Sequence, residues 1–192
     1  MIVLLVNTSI DPVTGGGTAT RTVQLARSIQ KDFKVECIIL STDQGLDDTS
    51  KQKYNDLKTV LLPCLNDRFY IPYFSFFKLK KLIEKVDFIH LMSHWTVINA
   101  VVYLLARQLD KPYTFCPAGA LHIFGRSALL KNIYNLFIGN SLIKNASQCI
   151  AITNLEKKDF LGFNVQEKLI SVIPNGIDEN EFFPNLEICT IS

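Results

Sequence analysis

Short runs of β-branched and aliphatic residues alternate along the chain with longer stretches whose apolar positions recur every three to four residues. That is the pattern of strands joined by helices in a mostly parallel sheet. The chain opens on Ile2–Val6, a continuous apolar run suited to a strand buried on both faces. A polar, glycine-rich loop follows through Gly17, and a helix is predicted from Thr18 to Gln30, with Val23, Ala26 and Ile29 beside Leu25 as its inner stripe. Val35–Leu40 is the second predicted strand, Ser41–Asp56 reads as a long surface loop, and Leu57–Leu62 is a third strand ended by Pro63. Asp87–Met92, Tyr113–Cys116, Gln148–Ile152 and Leu169–Ile173 are the later strands. Helices are predicted over Thr96–Leu109, Leu129–Lys144 and Asn154–Leu161, the last closed by Gly162. With right-handed crossovers this order gives one doubly wound α/β domain with helices on both faces of the sheet. Its ligand crevice then lies beyond the carboxyl ends of the strands. The loops to examine for chemistry are residues 8–17, 93–95, 117–126, 153–154 and 174–178.

Composition narrows the class. With 192 residues, 48% apolar and 20% charged, and a mean hydropathy of +0.19, the chain is expected to form one soluble globular domain. The longest charge-free apolar stretch, Val97–Ala106, is about half of the ~20 residues a spanning helix needs. The opening MIVLLVN lacks the basic flank of a secretory signal. Cys37, Cys64, Cys116, Cys149 and Cys189 are far apart with no C-x-x-C spacing, so reduced thiols in the cytosol are expected and no zinc site is written. A net charge of +2 gives no global field toward nucleic acid. The distribution is uneven, however: from Lys111 to Leu155 there is no acid, while Lys111, Arg126, Lys131 and Lys144 are positive. Residues 12–31 are also free of acids and hold Arg21, Arg27 and Lys31. One basic face and cations scattered over unrelated surfaces are both compatible with this.

Four segments carry candidate chemistry. In DPVTGGGTATR, Gly15, Gly16 and Gly17 let a ligand approach the backbone where a helix N-terminus offers N–H groups and a positive dipole. The spacing departs from a dinucleotide fingerprint, since Thr20 stands at the third glycine position, and it is no Walker A loop. A connection without a ligand is the alternative. In DFIHLMSHW, His90 falls inside the strand as a core histidine, while His94 just beyond it is placed to meet a substrate. Two histidines alone do not make a metal site. The loop Pro117–Leu121, with Ala118 and Gly119, permits close approach, and His122 and Arg126 could bind an acceptor hydroxyl or phosphate. Finally, Phe69–Lys85 mixes aromatic rings with lysines. Such a mixture suits contact with an anionic lipid surface, or equally a set of core rings beside a solvated helix face.

Taken in order, these pieces resemble the N-terminal, acceptor-side Rossmann-like domain of a GT-B glycosyltransferase of the GT4 type. The likeness rests on the opening strand with its GG loop and helix, the D-x-x-H-L strand ending near Trp95, the P-x-G-x-L loop, AITNLEKKDF, and VIPNGID followed by FFP. It implies a domain over residues 1–178 and a tail over 179–192 where the chain would cross to a donor-binding domain not included in this sequence. The family's paired glutamates sit in that second domain, and Glu179 and Glu187 are not that pair. The resemblance further implies retaining transfer of a sugar from a nucleotide sugar, without a metal cofactor. Gly15, Gly16, Gly17, Asn175 and Gly176 would form the donor-phosphate wall, and His94, Ala118, Gly119, His122 and Arg126 the acceptor side, with His94 as the catalytic candidate. The family's second strand histidine is Met92 here, and Ala118 stands where P-H-G is common, which leaves the histidine contact open between His94 and His122. The implied acceptor is a glycan or a lipid-linked saccharide of the cell surface, met at the inner face of the membrane through Phe69–Lys85, with no nucleic acid partner. A non-catalytic binding module and an NAD-binding dehydrogenase domain remain as alternatives.

Overall fold

The computed structural model describes residues 1–122 and 127–176. β1 (Ile2–Ser9) extends the opening apolar run and is buried along almost its whole length. α1 (Pro12–Phe33) starts earlier than predicted because Asp11 caps it, its Oδ2 accepting from the Thr14 N–H at 2.7 Å, with proline at the first helical position. At Gly16 the backbone leaves helical space (φ 57°, ψ −144°), so a single opening turn precedes the long helix. The glycines expected in a loop therefore sit at a helix break. β2 (Glu36–Thr42) is followed by α2 (Asp48–Gln52), a short helix within the expected Ser41–Asp56 loop, nucleated by the Asp47 cap on Ser50 N–H. Next come β3 (Lys58–Leu62) and a small antiparallel hairpin, β4 (Cys64–Asn66) with β5 (Ile71–Pro72), which the sequence pattern had left unassigned.

α3 (Phe76–Lys85) buries Leu79 and Ile83 and leads to β6 (Phe88–Met92). α4 (Val97–Gln108), capped by Thr96, buries Ile98, Val102 and Leu105 and returns to β7 (Tyr113–Cys116). The helix expected over Leu129–Lys144 is α5 (Ala128–Tyr134), a π turn over Asn135–Gly139, and α6 (Asn140–Lys144). β8 (Gln148–Ala151), α7 (Asn154–Gly162), a 3₁₀ turn and β9 (Ile170–Val172) complete the described chain. The expected domain boundary at residue 178, Glu179 and Glu187 lie outside the described residues.

One seven-stranded sheet runs in the order β3-β2-β1-β6-β7-β8-β9, every pairing parallel. The chain builds outward from β1 to β3, then returns to β6 on the other side of β1 and builds outward again. The order reverses between β1 and β6, which is where a doubly wound sheet opens a ligand crevice. Alternation along the strands splits the core by face. Leu4, Val6, Ile89, Leu91 and Phe115 pack with residues of α3, α4, α6 and α7, and Val3, Leu5, Cys37 and Ile39 pack with Val23 and Ala26 of α1. On the α1 face the helix leaves an apolar groove of about 520 Å³ bordered by Leu25, Ile29, His90, Thr114 and Ile150. Cys37, Cys116 and Cys149 are buried free thiols, and burial pushes Cys116 up to about 11 and Cys149 up to about 12. Among the described residues no helix is long and apolar enough to cross a membrane.

Candidate functional site

At the switch point the ends of β1 and β6 are both built from buried polar groups, and the turn after β6 adds strained backbone. Asn7 donates to Thr22 Oγ1 at 3.0 Å, anchoring the strand end to α1, and Ser9 donates to the Gln44 carbonyl at 2.9 Å. Gly15 folds back on this strand so closely that a Cβ there would stand 2.6 Å from the Ser9 carbonyl oxygen. Across the gap, Ser93 and Trp95 hold positive φ (71° and 52°), a conformation that costs non-glycine residues energy and gathers at functional turns. Buried Asn99 secures this turn by donating to the carbonyls of Met92 and Ser93, each at 2.8 Å. Between the two loops lies a cleft of about 360 Å³, walled by Asn7–Ser9, Thr14, Gly15 and Thr18 on one side and Ser93–Thr96 on the other. Arg68, Phe69, Tyr70 and Lys131 line its rim.

His94 is the deepest polar side chain of that wall, 4% exposed. Its Nε2 lies 2.9 Å from Asn135 Oδ1, and Trp95 Nε1 donates to the same oxygen at 2.9 Å. The indole N–H can only donate, so this atom of Asn135 is the carbonyl oxygen and His94 Nε2 carries the proton. His94 Nδ1 is therefore an unprotonated acceptor, buried with no partner. Burial holds the imidazole down at about 4, only partly offset by the Asn135 contact, so the ring is neutral at pH 7. Phe115 and Tyr134 pack edge-on against it at 5.4 and 5.5 Å. Asn135 opens the π turn with its side chain buried, and Gly139 at the end of that turn leaves room for it, since a Cβ at 139 would come 2.5 Å from Asn135 Oδ1. The Lys131 ammonium sits 4.3 Å above the Trp95 ring.

The other predicted residues distribute as follows. Gly15 and His94 face one cleft. Gly16 and Gly17 stand at the helix break, open enough that an added Cβ meets nothing within 4 Å. Asn175 accepts from Arg21 Nη1, which ties the segment after β9 to α1, and Gly176 beside it is exposed. Ala118 (φ 53°) and Gly119 (φ 87°) form a tight turn after β7, and the Gly119 N–H donates to Glu156 Oε1 at 2.5 Å. His122 Nε2 lies 2.9 Å from Asp159 Oδ1 of α7. These three residues do not line the cleft, and Arg126 lies outside the described residues. His90 and His94 do not converge. His90 turns to Thr114 Oγ1 (2.7 Å) on the groove side, where burial first and the Arg21 charge second hold it at about 4. Among the described residues no three His, Cys, Asp or Glu side chains gather to hold a metal ion.

Residues that the sequence did not single out do much of the positioning. Asn135 and Gly139 hold His94 and Trp95. Glu156 accepts from both Gly119 and Ile152 N–H groups and so joins the loop after β7 to the end of β8. A signal was available for Glu156 in T-N-L-E, a capping-box spacing, because Thr153 caps its N–H at 3.1 Å.

The family model described as Glycosyltransferase Family 4 matches residues 15–181. No curated protein sequence matches the chain significantly. Among solved structures, Anabaena HepE in complex with UDP and glucose is similar over 94% of this chain and 46% of its own, at 17% identity and a TM-score of 0.65. A glycosyltransferase from Rickettsia africae is similar over 95% and 45%, at 19% identity and a TM-score of 0.59. The UDP-GlcNAc 2-epimerase from Methanocaldococcus jannaschii is similar over 91% and 46%, at 17% identity and a TM-score of 0.57. The chain thus spans just under half the length of each.

Proposed function

Because the chain belongs to glycosyltransferase family 4, we propose that it is the acceptor-binding half of a retaining glycosyltransferase. It would act with a nucleotide sugar and a glycan or lipid-linked acceptor in cell-surface polysaccharide synthesis. The observation that carries this reading is the cleft at the β1–β6 switch point inside the matched segment, with an unpartnered neutral imidazole on one wall and a glycine turn opening a helix on the other.

In this reading the donor diphosphate lies against the turn from Gly15 to Thr18. The first turn of a helix leaves N–H groups without partners there, and its dipole favours negative charge. The bond from the anomeric carbon to the diphosphate oxygen breaks, the acceptor oxygen bonds to that carbon on the same face, and the acceptor proton leaves with the diphosphate. His94 Nδ1 accepts a hydrogen bond from a sugar hydroxyl and so orients the ring, while Trp95 offers an apolar face beside it. The solved structures it resembles are about twice as long. The cations opposing the glycine turn are therefore assigned to a second, donor-binding domain, on this polypeptide or another. Transfer needs the closed cleft between the two, so residues 1–192 alone are expected to turn over little. The epimerase shares the fold, and the family match favours transfer.

Calorimetric titration of the chain with neutral and anionic saccharides and with NADH tests the reading. Saccharide binding weakened about tenfold by His94→Ala is expected, the cost of about one hydrogen bond. Tight NADH binding with no saccharide binding would overturn it in favour of a dehydrogenase domain.

A further inference from the structure

The mouth of the cleft at the switch point is cationic and has no acid to match it. Arg68, in the turn between β4 and β5, and Lys131 of α5 both line the cleft, and no described residue that lines it is acidic. Each cation rests against an aromatic ring of the same lining. The Arg68 guanidinium lies 5.3 Å from the Phe69 centroid and the Lys131 ammonium 4.3 Å from the Trp95 centroid. Asp67 precedes Arg68 in the chain, yet among the described residues the Arg68 guanidinium enters no salt bridge. Asp11, before the glycine turn, is buried and accepts from the Thr14 N–H. Two cations at the mouth of a cleft without a neutralising carboxylate attract an anion.

The wall below the mouth asks for something else. His94 is buried in it with Nδ1 unprotonated and without a partner, so the site offers an acceptor where a ligand must bring a donor, as a hydroxyl does. One molecule answers both if it carries hydroxyls and a negative charge together. We propose that the acceptor is an acidic saccharide, with its carboxylate or phosphate between Arg68 and Lys131 and one of its hydroxyls donating to His94 Nδ1. The guanidinium presents a planar fork that fits two oxygens of either anion, and the ammonium adds a point charge. The inference rests on the transferase reading and narrows its acceptor. The donor diphosphate stays at Gly15–Thr18, on a different element from either cation.

The test is calorimetric titration of the 192-residue chain with glucose, glucuronate and glucose 6-phosphate, at low and high salt. Glucuronate differs from glucose only in the carboxylate at C6, so the ratio of their affinities reads the anion subsite alone. A rim pair is screened by water, and the two cations together should favour at least one of the acids over glucose by about tenfold, less at high salt. The tighter of the two names the anionic group. Arg68→Gln and Lys131→Gln should each reduce that preference severalfold and leave glucose binding as it was, whereas His94→Ala should weaken glucose and the acids alike. Arg68 is exposed on a hairpin turn, so its variants should fold, and Arg68→Lys should restore part of the preference. Arg107→Gln, in the last turn of α4 and outside the cleft lining, should change nothing. Glucose bound as tightly as both acids, or a preference that survives in Arg68→Gln and in Lys131→Gln, would overturn the proposal and leave the transferase reading standing. Binding of UDP lost in Arg68→Gln with the acid preference intact would assign the cation to the donor and overturn it too. No saccharide bound at all would overturn both.

Discussion

Asn135→Leu separates the account of the cleft from a generic account of core packing. The side chain is buried and polar, and its single oxygen serves the N–H groups of both His94 and Trp95. Leucine has similar bulk and no acceptor. A buried donor left unpaired costs about 1–3 kcal/mol. His94 cannot escape by moving its proton, because Nδ1 is also buried without a partner. Trp95 is only half-buried and can find water, so its share falls at the lower end. A loss of roughly 2–4 kcal/mol is therefore expected, a large part of the ~5–15 kcal/mol that holds a domain together. Trp95 is the only tryptophan in the chain, so urea unfolding followed by its fluorescence and by far-ultraviolet circular dichroism reports the site and the fold separately. Asn135→Asp retains the acceptor, should keep the native Trp95 emission, and should raise His94 from its value of about 4 by placing a carboxylate on Nε2–H. A stability for Asn135→Leu within about 0.5 kcal/mol of the parent, with unchanged emission, would contradict a structural role for the shared acceptor at Asn135 Oδ1.

Other consequences follow from the same geometry. Gly15→Ala should destabilise by about 1–3 kcal/mol because its Cβ would press on the Ser9 carbonyl, whereas Gly17→Ala, in open space, should leave the urea midpoint unchanged. Stability should fall with acid. His90 and His94 sit at about 4 when folded against an ordinary 6.5, so the unfolded chain takes up protons first below pH 6.5 and the loss grows toward pH 4. It should reach on the order of 3 kcal/mol for each ring, and urea midpoints measured from pH 7 to 4.5 would show it. Glu156→Gln places an amide nitrogen against the N–H of either Ile152 or Gly119. It should cost about 1–3 kcal/mol and speed hydrogen exchange at Gly119.

Much of the fold was legible because the chain alternates cleanly. The apolar runs at Ile2–Val6 and Asp87–Met92 read as buried strands, and the order of strands and helices put a crevice beyond the carboxyl ends of the strands; that it opens between β1 and β6 comes from the strand order of the sheet. Gly15 and His94 stand in loops that follow two of those strands, and the structure brings both to the cleft. Gly16 was misread as part of a loop, because a helix break and a loop both favour glycine, and the Asp11 cap with Pro12 that starts the helix early is a signal that spacing does contain. Asn135 was not legible. A polar residue amid NIYNLFIG looks like the solvent side of an amphipathic helix, whereas the structure buries it against His94 and Trp95 and leaves Leu136 and Phe137 exposed. His122 looked like a site residue because it follows a strand-end loop, yet its partner Asp159 is far along the chain, a pairing that sequence separation conceals.

With the donor diphosphate against Gly15–Thr18, UDP-glucose should enter the cleft between β1 and β6, and amide chemical shifts of the isotope-labelled chain during a titration at millimolar concentration would report it. Shifts confined to Ser9–Thr18 and Ser93–Thr96 are expected, with the Trp95 indole N–H among them, and loss of the indole shift in His94→Ala. Shifts at the apolar groove around Ile29 and His90, or none at the cleft up to saturation of the ligand, would contradict it.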